Sequence, residues 1–273
     1  MERAIVTAQA APLYVAPDAQ SELADEILHG MVVTLMAHAP GTGFVRARTA
    51  YDYEGFARET DLLMDNAAAA TWEAEAQNVL RTAFTDVLAA PRIQAARLIT
   101  LSRGGIFSVC GENKDGWTQV RLADGQTGFV RTVHRGHPRP VFDPADEVGF
   151  RRRVTETARS YLGTQYRWGG KTPEGIDCSG LCSMTYWLND VNICRDARLA
   201  PGFPVHEIPR EKMRPGDLLY FPGHIAMLLY GDHFIHATAV ASCVCINSMN
   251  PDDADGRADL AQSLLAIGSI FGN

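Results

Sequence analysis

The chain has 273 residues, 46% of them apolar and 21% charged, with a formal net charge of −7. That is material for one large domain or two to three small ones, each with its own core. The acidic balance argues against nucleic acid or an anionic membrane surface as main partner, since either requires a basic face, and no apolar run approaches the length of a membrane span.

The chain opens M-E-R-A-I-V-T-A-Q-A-A-P, with an acid where a signal peptide would carry a basic region, so no signal peptide is expected and a cytoplasmic location is. Residues 1–137 contain an internal repeat. A-A-P-L-Y-V-A-P at 10–17 matches T-D-V-L-A-A-P at 85–91, and H-G-M-V-V at 29–33 matches R-G-G-I-F at 103–107. G-F-V-R-A-R from Gly43 matches G-W-T-Q-V-R from Gly116, and G-F-A-R from Gly55 matches G-F-V-R from Gly128. The offset stays at 73 or 74 residues, as from Gly43 to Gly116 and from Pro17 to Pro91. Each copy is a set of short β segments punctuated by Gly and Pro, too small for a sandwich and large enough for a small barrel. Between the copies, the alanine-rich stretch 66–77 suits a linker or short helix.

The copies differ at their last turn. The second has an ordinary polar turn, A-D-G-Q-T at 123–127, whereas the first has A-Y-D-Y-E at 50–54, with Tyr53 and Glu54 at its end. H-R-G-H-P-R-P-V-F-D-P at 134–144 reads as an interdomain connector. A helix is expected from near Val148, with Val154, Ala158, Tyr161 and Leu162 on one face and Gly163 closing it. The organisation expected is therefore 1–65, a linker at 66–78, 79–137, and a last domain at 138–273.

In that last domain, Y-R-W-G-G-K-T-P-E-G-I-D-C-S-G-L-C at 166–182 passes from a glycine-rich loop into an apolar run. Leu181, Met184, Thr185 and Leu188 recur at the spacing of one buried helical face, with Asp177 ahead of them as N-cap. Cys178 thus stands at a helix amino terminus, where free N–H groups and the helix dipole favour thiolate. The excursion 189–215, holding Arg195, Asp196 and His206, reads as loop; there Arg195 suits either a surface ion pair or a substrate carboxylate.

G-D-L-L-Y-F-P-G-H-I-A-M-L-L-Y-G-D-H-F-I-H-A-T at 216–238 reads as three strands joined by Pro-Gly and Gly-Asp turns. His224 opens the middle strand and His236 lies in the third. Because strand side chains alternate faces, the two histidines share a face only if the loop around Gly231 has an odd length or a bulge does the same job. That arrangement is expected, with His224 as base for Cys178 and His236 as its orienter. A zinc site of Cys178, Cys182 and the two histidines is the rival use of these atoms. The Asp-Cys-Ser-Gly context suits a capped thiolate better, and no C-x-x-C knuckle occurs, so neither metal nor other cofactor is expected. Six cysteines are too sparse for a disulfide scaffold, which suits a reducing compartment. His29, His38, His134, His137 and His233 fall at turns or exposed positions.

Y-R-W-G-G-K at 166–171, G-I-D-C-S-G-L at 175–181, P-G-D-L-L-Y-F-P-G-H at 215–224 and I-H-A at 235–237 together resemble the NlpC family of papain-like cysteine peptidases, which cleave cell-wall peptides. The resemblance implies an α+β fold, a papain-like domain with a helix-borne cysteine on an antiparallel sheet, preceded by two SH3-like β-barrels. It is strongest for the γ-D-glutamyl-L-diamino acid endopeptidases, which implies Cys178, His224 and His236 as catalytic residues and Tyr166 as an oxyanion partner. It also implies Asp177 and Glu54, with Tyr53 beside it, as recognition of a substrate's free amino terminus; the alternative for 50–54 is an exposed turn that happens to be aromatic. Ser179 reads either as a substrate hydrogen-bonder or as a first-turn helix residue, and Asp177 equally as a plain cap. A monomer acting on peptidoglycan-derived peptides is expected. Two other classes stand beside this reading: a binding module with an inactive last domain, and a thiol amidase or acyltransferase on another acyl substrate.

Overall fold

A computed structural model describes residues 2–272 and divides into two compact units, Met1–Arg139 and Pro140–Asn273. The first carries β1 (Glu2–Val6), β2 (Ala10–Tyr14), β3 (Leu23–Leu28), β4 (Val32–Ala39), β5 (Phe44–Arg48), β6 (Glu54–Arg58) and β7 (Leu62–Met64), followed by helix α1 (Asn66–Glu75). It continues with β8 (Asn78–Val79), β9 (Phe84–Leu88), β10 (Arg97–Ser102), β11 (Ile106–Val109), β12 (Trp117–Arg121) and β13 (Thr127–Arg131). The internal repeat is visible in the pairing order. One sheet runs β3-β2-β6-β5-β4-β1-β7 and the other β10-β9-β13-β12-β11-β8, so equivalent strands occupy equivalent places.

Neither sheet closes, and this overturns the expected SH3-like barrels. Among the described residues β3 pairs only with β2 and β7 only with β1, while β10 pairs only with β9 and β8 only with β11. Closure would require those edge strands to exchange hydrogen bonds with each other. Instead β7 runs straight into α1, which Asp65 caps and whose Asn66 side chain takes the main-chain N–H of Arg3 on β1. The two-residue β8 spends its outer side on a bridge to His137.

The two sheets meet over Trp72 of α1, whose ring packs with Ile5, Ala69, Ala76 and Ala123 and whose indole N–H donates to the Gly30 carbonyl at 2.8 Å. His29, expected at a turn or exposed position, is 1% exposed and bridges the copies. Its Nδ1 donates to Thr7 O at 2.9 Å and its Nε2 accepts from Ala123 N at 3.2 Å.

The second unit is α+β. Helix α2 (Glu147–Arg159), the short strands β14 (Lys171–Thr172) and β15 (Gly175–Ile176) and helix α3 (Cys178–Trp187) precede the sheet. The sheet comprises β16 (His206–Ile208), β17 (Leu218–Phe221), β18 (His224–Tyr230), β19 (His233–Thr238), β20 (Cys243–Ser248) and β21 (Ala266–Ser269), with α4 (Ala258–Ser263) before the last strand. Its order, β16-β21-β17-β18-β19-β20, is antiparallel throughout.

Strand alternation divides the core. Ile225, Met227 and Leu229 of β18, with Ile235 and Ala237 of β19, pack against Phe150, Val154 and Ala158 of α2 and Leu181, Cys182 and Tyr186 of α3. Ala226 and Phe234 face the other way, where Leu260 and Leu264 cover them. Helix α3 is buried from Cys178 to Tyr186 on all sides, not along the single stripe its spacing suggested, because α2 covers the side that the sheet leaves. Leu162, expected in the α2 interface, lies beyond the helix end and is 46% exposed.

Candidate active site

The loop before α3 is built on close backbone approach. A Cβ at Gly180 would lie 2.2 Å from the Gly170 carbonyl oxygen, and one at Gly170 would lie 2.5 Å from that of Gly175. Only glycine permits this packing. It brings Gly169 N within 2.8 Å of Asp177 Oδ2, while Oδ1 caps α3 by accepting from Gly180 N. Arg195 then reaches in from the 189–215 excursion, donating Nη1 to Oδ1 at 3.1 Å and Nη2 to Oδ2 at 3.0 Å, and Nη1 also to Ser179 Oγ at 2.7 Å. Ser179 in turn donates to Asp177 Oδ1 at 3.2 Å. Arg195 is 3% exposed, so it is neither a surface ion pair nor open to a substrate carboxylate; it is the buried bidentate partner of the cap.

Cys178 begins α3 and is 7% exposed. Its sulfur accepts from the main-chain N–H of Ser179 and of Ile225, the residue after His224, which seats it against the first peptide of β18. The histidines are brought together by the device their parity required. Gly231 and Asp232 form a two-residue turn closed by the Tyr230–His233 pair, and a bulge at Leu229 shifts the register so that Leu228 faces Phe234 and Met227 faces Ile235. His224 and His236 therefore share a face, and His224 Nε2 lies 2.8 Å from His236 Nδ1. The far nitrogen of His236, Nε2, lies 2.9 Å from Asn247 Oδ1. Tyr166 packs at the edge of the same core.

Glu54 and Tyr53 belong to the amino-terminal unit. Glu54 accepts from Arg48 Nε at 2.7 Å and pairs with Arg46 Nη2 at 2.7 Å. The Arg48 hydrogen bond holds its carboxyl below the usual range. Tyr53 lies at the turn's close, its N–H donating to Thr49 Oγ1 at 3.0 Å, after Asp52 takes a left-handed φ of 59°.

The model of the NlpC/P60 family matches residues 163–255, which contain Cys178, His224, His236 and Asn247. Dipeptidyl-peptidase 6 of Lysinibacillus sphaericus is 45% identical over 271 residues, covering 98% of this chain and 99% of that protein. The chain belongs to the NlpC/P60 family. A second relative, the gamma-D-glutamyl-L-lysine dipeptidyl-peptidase of Bacillus subtilis, is 26% identical over 136 residues, 45% of this chain and 42% of that protein. The crystal structure of an NlpC/P60 family protein from Bacillus cereus shares the fold with a TM-score of 0.81 at 18% identity, over 99% of this chain and all of the other. This member of the family is a cysteine peptidase with a buried, unpaired Cys178.

Its electrostatics differ from the expected thiolate. Burial pushes the Cys178 thiol up to about 11, and the Asp177 carboxylate adds to the rise. The Ile225 and Ser179 N–H groups and the Arg195 guanidinium pull the other way without reversing it. Burial likewise holds His224 and His236 down to about 4. Desolvation thus outweighs the helix terminus, which favours a neutral Cys178 thiol and neutral His224 and His236 imidazoles at neutral pH. Tyr166, pushed up to about 12 by burial and then by Cys178, keeps its phenolic proton.

All six cysteines are free. Among the described residues the one group of side chains spaced to hold a metal ion is His233, Asp253 and Asp255, whose ligand atoms lie within 4.8 Å of one another; the rival zinc ligands Cys178, Cys182, His224 and His236 do not form such a group. No described helix is long and apolar enough to cross a membrane. Sequence reasoning passed over Asn247. Its signal was present in C-V-C-I-N-S at 243–248, where Asn247 continues the face of Cys243 and Cys245 and Cys245 pairs with His236.

Proposed function

We propose that the chain cleaves the γ-D-glutamyl–diamino acid bond of peptidoglycan-derived peptides by acyl transfer through a thioester on Cys178. The chain is a cell-wall-peptide hydrolase of its family, and the finer assignment is carried by the near full-length 45% identity to dipeptidyl-peptidase 6, with the Bacillus subtilis relative named for a γ-D-glutamyl-L-lysine bond.

With the resting pair neutral, His224 takes the Cys178 proton as the sulfur attacks the γ-glutamyl carbonyl, and His236 holds the imidazole in place. The oxyanion is met by the Cys178 N–H at the α3 terminus and by the protonated Tyr166 hydroxyl. Collapse breaks the C–N bond, and the proton on His224 goes to the departing amine. Water, deprotonated by His224, then attacks the thioester; the acid leaves and the proton returns to sulfur.

Asp177 is given to capping and to Arg195, and Ser179 to the same network; any contact with a substrate ammonium shares oxygens already in use. Glu54 and Tyr53 remain the residues proposed for a free amino terminus. Defined L-Ala-γ-D-Glu-diamino acid peptides, assayed by mass spectrometry, test the reading: the wild type cleaves after D-glutamate and Cys178→Ala does not. Cleavage of another bond, or turnover by Cys178→Ala, contradicts it. Glu54→Gln should raise KM for a peptide with a free N-terminus, and equal kinetics on free and N-acetylated peptides would remove Glu54 from the account.

A further inference from the structure

We propose that Asn247 is a positioning residue that fixes the tautomer of both imidazoles, so that His224 carries its proton on Nε2 and offers its lone pair at Nδ1. The main-chain carbonyl of Asp255 can only accept, and Asn247 Nδ2 lies 2.9 Å from it. Flipping the amide would set two oxygens against each other, so Nδ2 stays there and Oδ1 faces His236. An amide oxygen only accepts, so His236 Nε2, 2.9 Å away, bears the proton.

In a neutral ring the other nitrogen is then a bare lone pair. His236 Nδ1 accepts, and the atom 2.8 Å from it, His224 Nε2, must donate. That leaves Nδ1 of His224 as the site that can take a proton, which is what the base role proposed for His224 requires. The order of donors along β18, β19 and β20 is thus set from the loop after β20. That loop is anchored independently: Ser248 N also donates to Asp255 O at 3.1 Å, Gly256 N to Asp253 O at 2.9 Å and Arg257 N to Ser248 O at 2.8 Å. The Cys245 thiol, 3.5 Å from Oδ1, is a second donor to the same oxygen and leaves its acceptor role unchanged. The charged groups acting on His236 are Arg257 and Asp259, which pair with each other at 2.6 Å.

The functional weight of this lock rests on the proposed role of His224 as base, but the tautomers do not. A two-bond proton–nitrogen correlation spectrum of the nitrogen-15-labelled wild type, assigned with single histidine variants, should show protonated Nε2 and bare Nδ1 for both rings at neutral pH. A protonated Nδ1 on either ring overturns the proposal. Asn247→Ala should give mixed tautomers and lower kcat about tenfold or more, with KM within about twofold; unchanged kcat with a folded variant removes the positioning role. Should that variant fail to fold, the wild-type spectrum decides alone. Turnover by Cys178→Ala would sink the peptidase mechanism while leaving the spectral assignment standing.

Discussion

At the scale of single residues, the site turns on which charge state burial permits. A cysteine at a helix start beside a histidine reads as a thiolate–imidazolium pair, yet the sulfur is 7% exposed and its thiol is pushed up to about 11, while His224 is held down to about 4. The thiolate fraction therefore grows only as pH rises toward 11, and alkylation of Cys178 by iodoacetamide should accelerate across that whole range. A fast rate, flat from pH 5 to pH 9, would mean a resting ion pair. In the proposed mechanism the neutral imidazole is the active form, so kcat/KM should keep its value as pH falls below 6.5 and drop through about 4, as an apparent value of the coupled pair. An acid limb at 6.5 or above would contradict this. The placement of Cys178 at a helix start and of His224 and His236 on one face was legible because loop-to-helix context and strand parity are local properties. Arg195 and Asn247 were not, since what they bond is decided by a loop folding back from the 189–215 excursion and by a strand joining from the other side.

At the scale of elements, the hairpin shows how parity arguments succeed and where they stop. Gly-Asp at 231–232 gives an even turn that would part the histidines, and one extra residue at Leu229 restores them. The need for a correction was legible in the sequence; its location was not. Helix α3 makes a comparable point, since its terminus was placed by Asp177 and its burial on all sides came from α2. The glycine contacts that seat this terminus are steric and can be tested. Gly180→Ala must move the Gly170 carbonyl from a 2.2 Å contact, which should cost roughly 1–3 kcal/mol and lower activity with it. A Tm and kcat equal to wild type would show that the loop yields freely.

At the scale of the whole molecule, the repeat announced duplicated sheets and the pairing order bears out the duplication, but closure was inferred from the size of each copy. Whether a small sheet closes depends on its edges, and here they end in α1 and in the His137 bridge. The buried histidines tie the fold to pH. His29, His224 and His236 are each lowered by burial, so below pH 6.5 the unfolded chain binds protons that the native chain refuses. Stability is then fully present above about 6.5 and should fall as pH drops toward 4, read as a declining urea midpoint. A midpoint constant from pH 7 to pH 4.5 would mean that these rings are not held neutral.

In the proposed reaction Cys178 carries the acyl group between bond cleavage and release. Rapid acid quench of wild-type enzyme turning over an L-Ala-γ-D-Glu-diamino acid peptide, followed by peptide mapping, should find the L-Ala-D-Glu acyl mass on the fragment bearing Cys178 and on no other. Steady turnover with no adduct on that fragment, or an adduct on a different cysteine, would contradict the account.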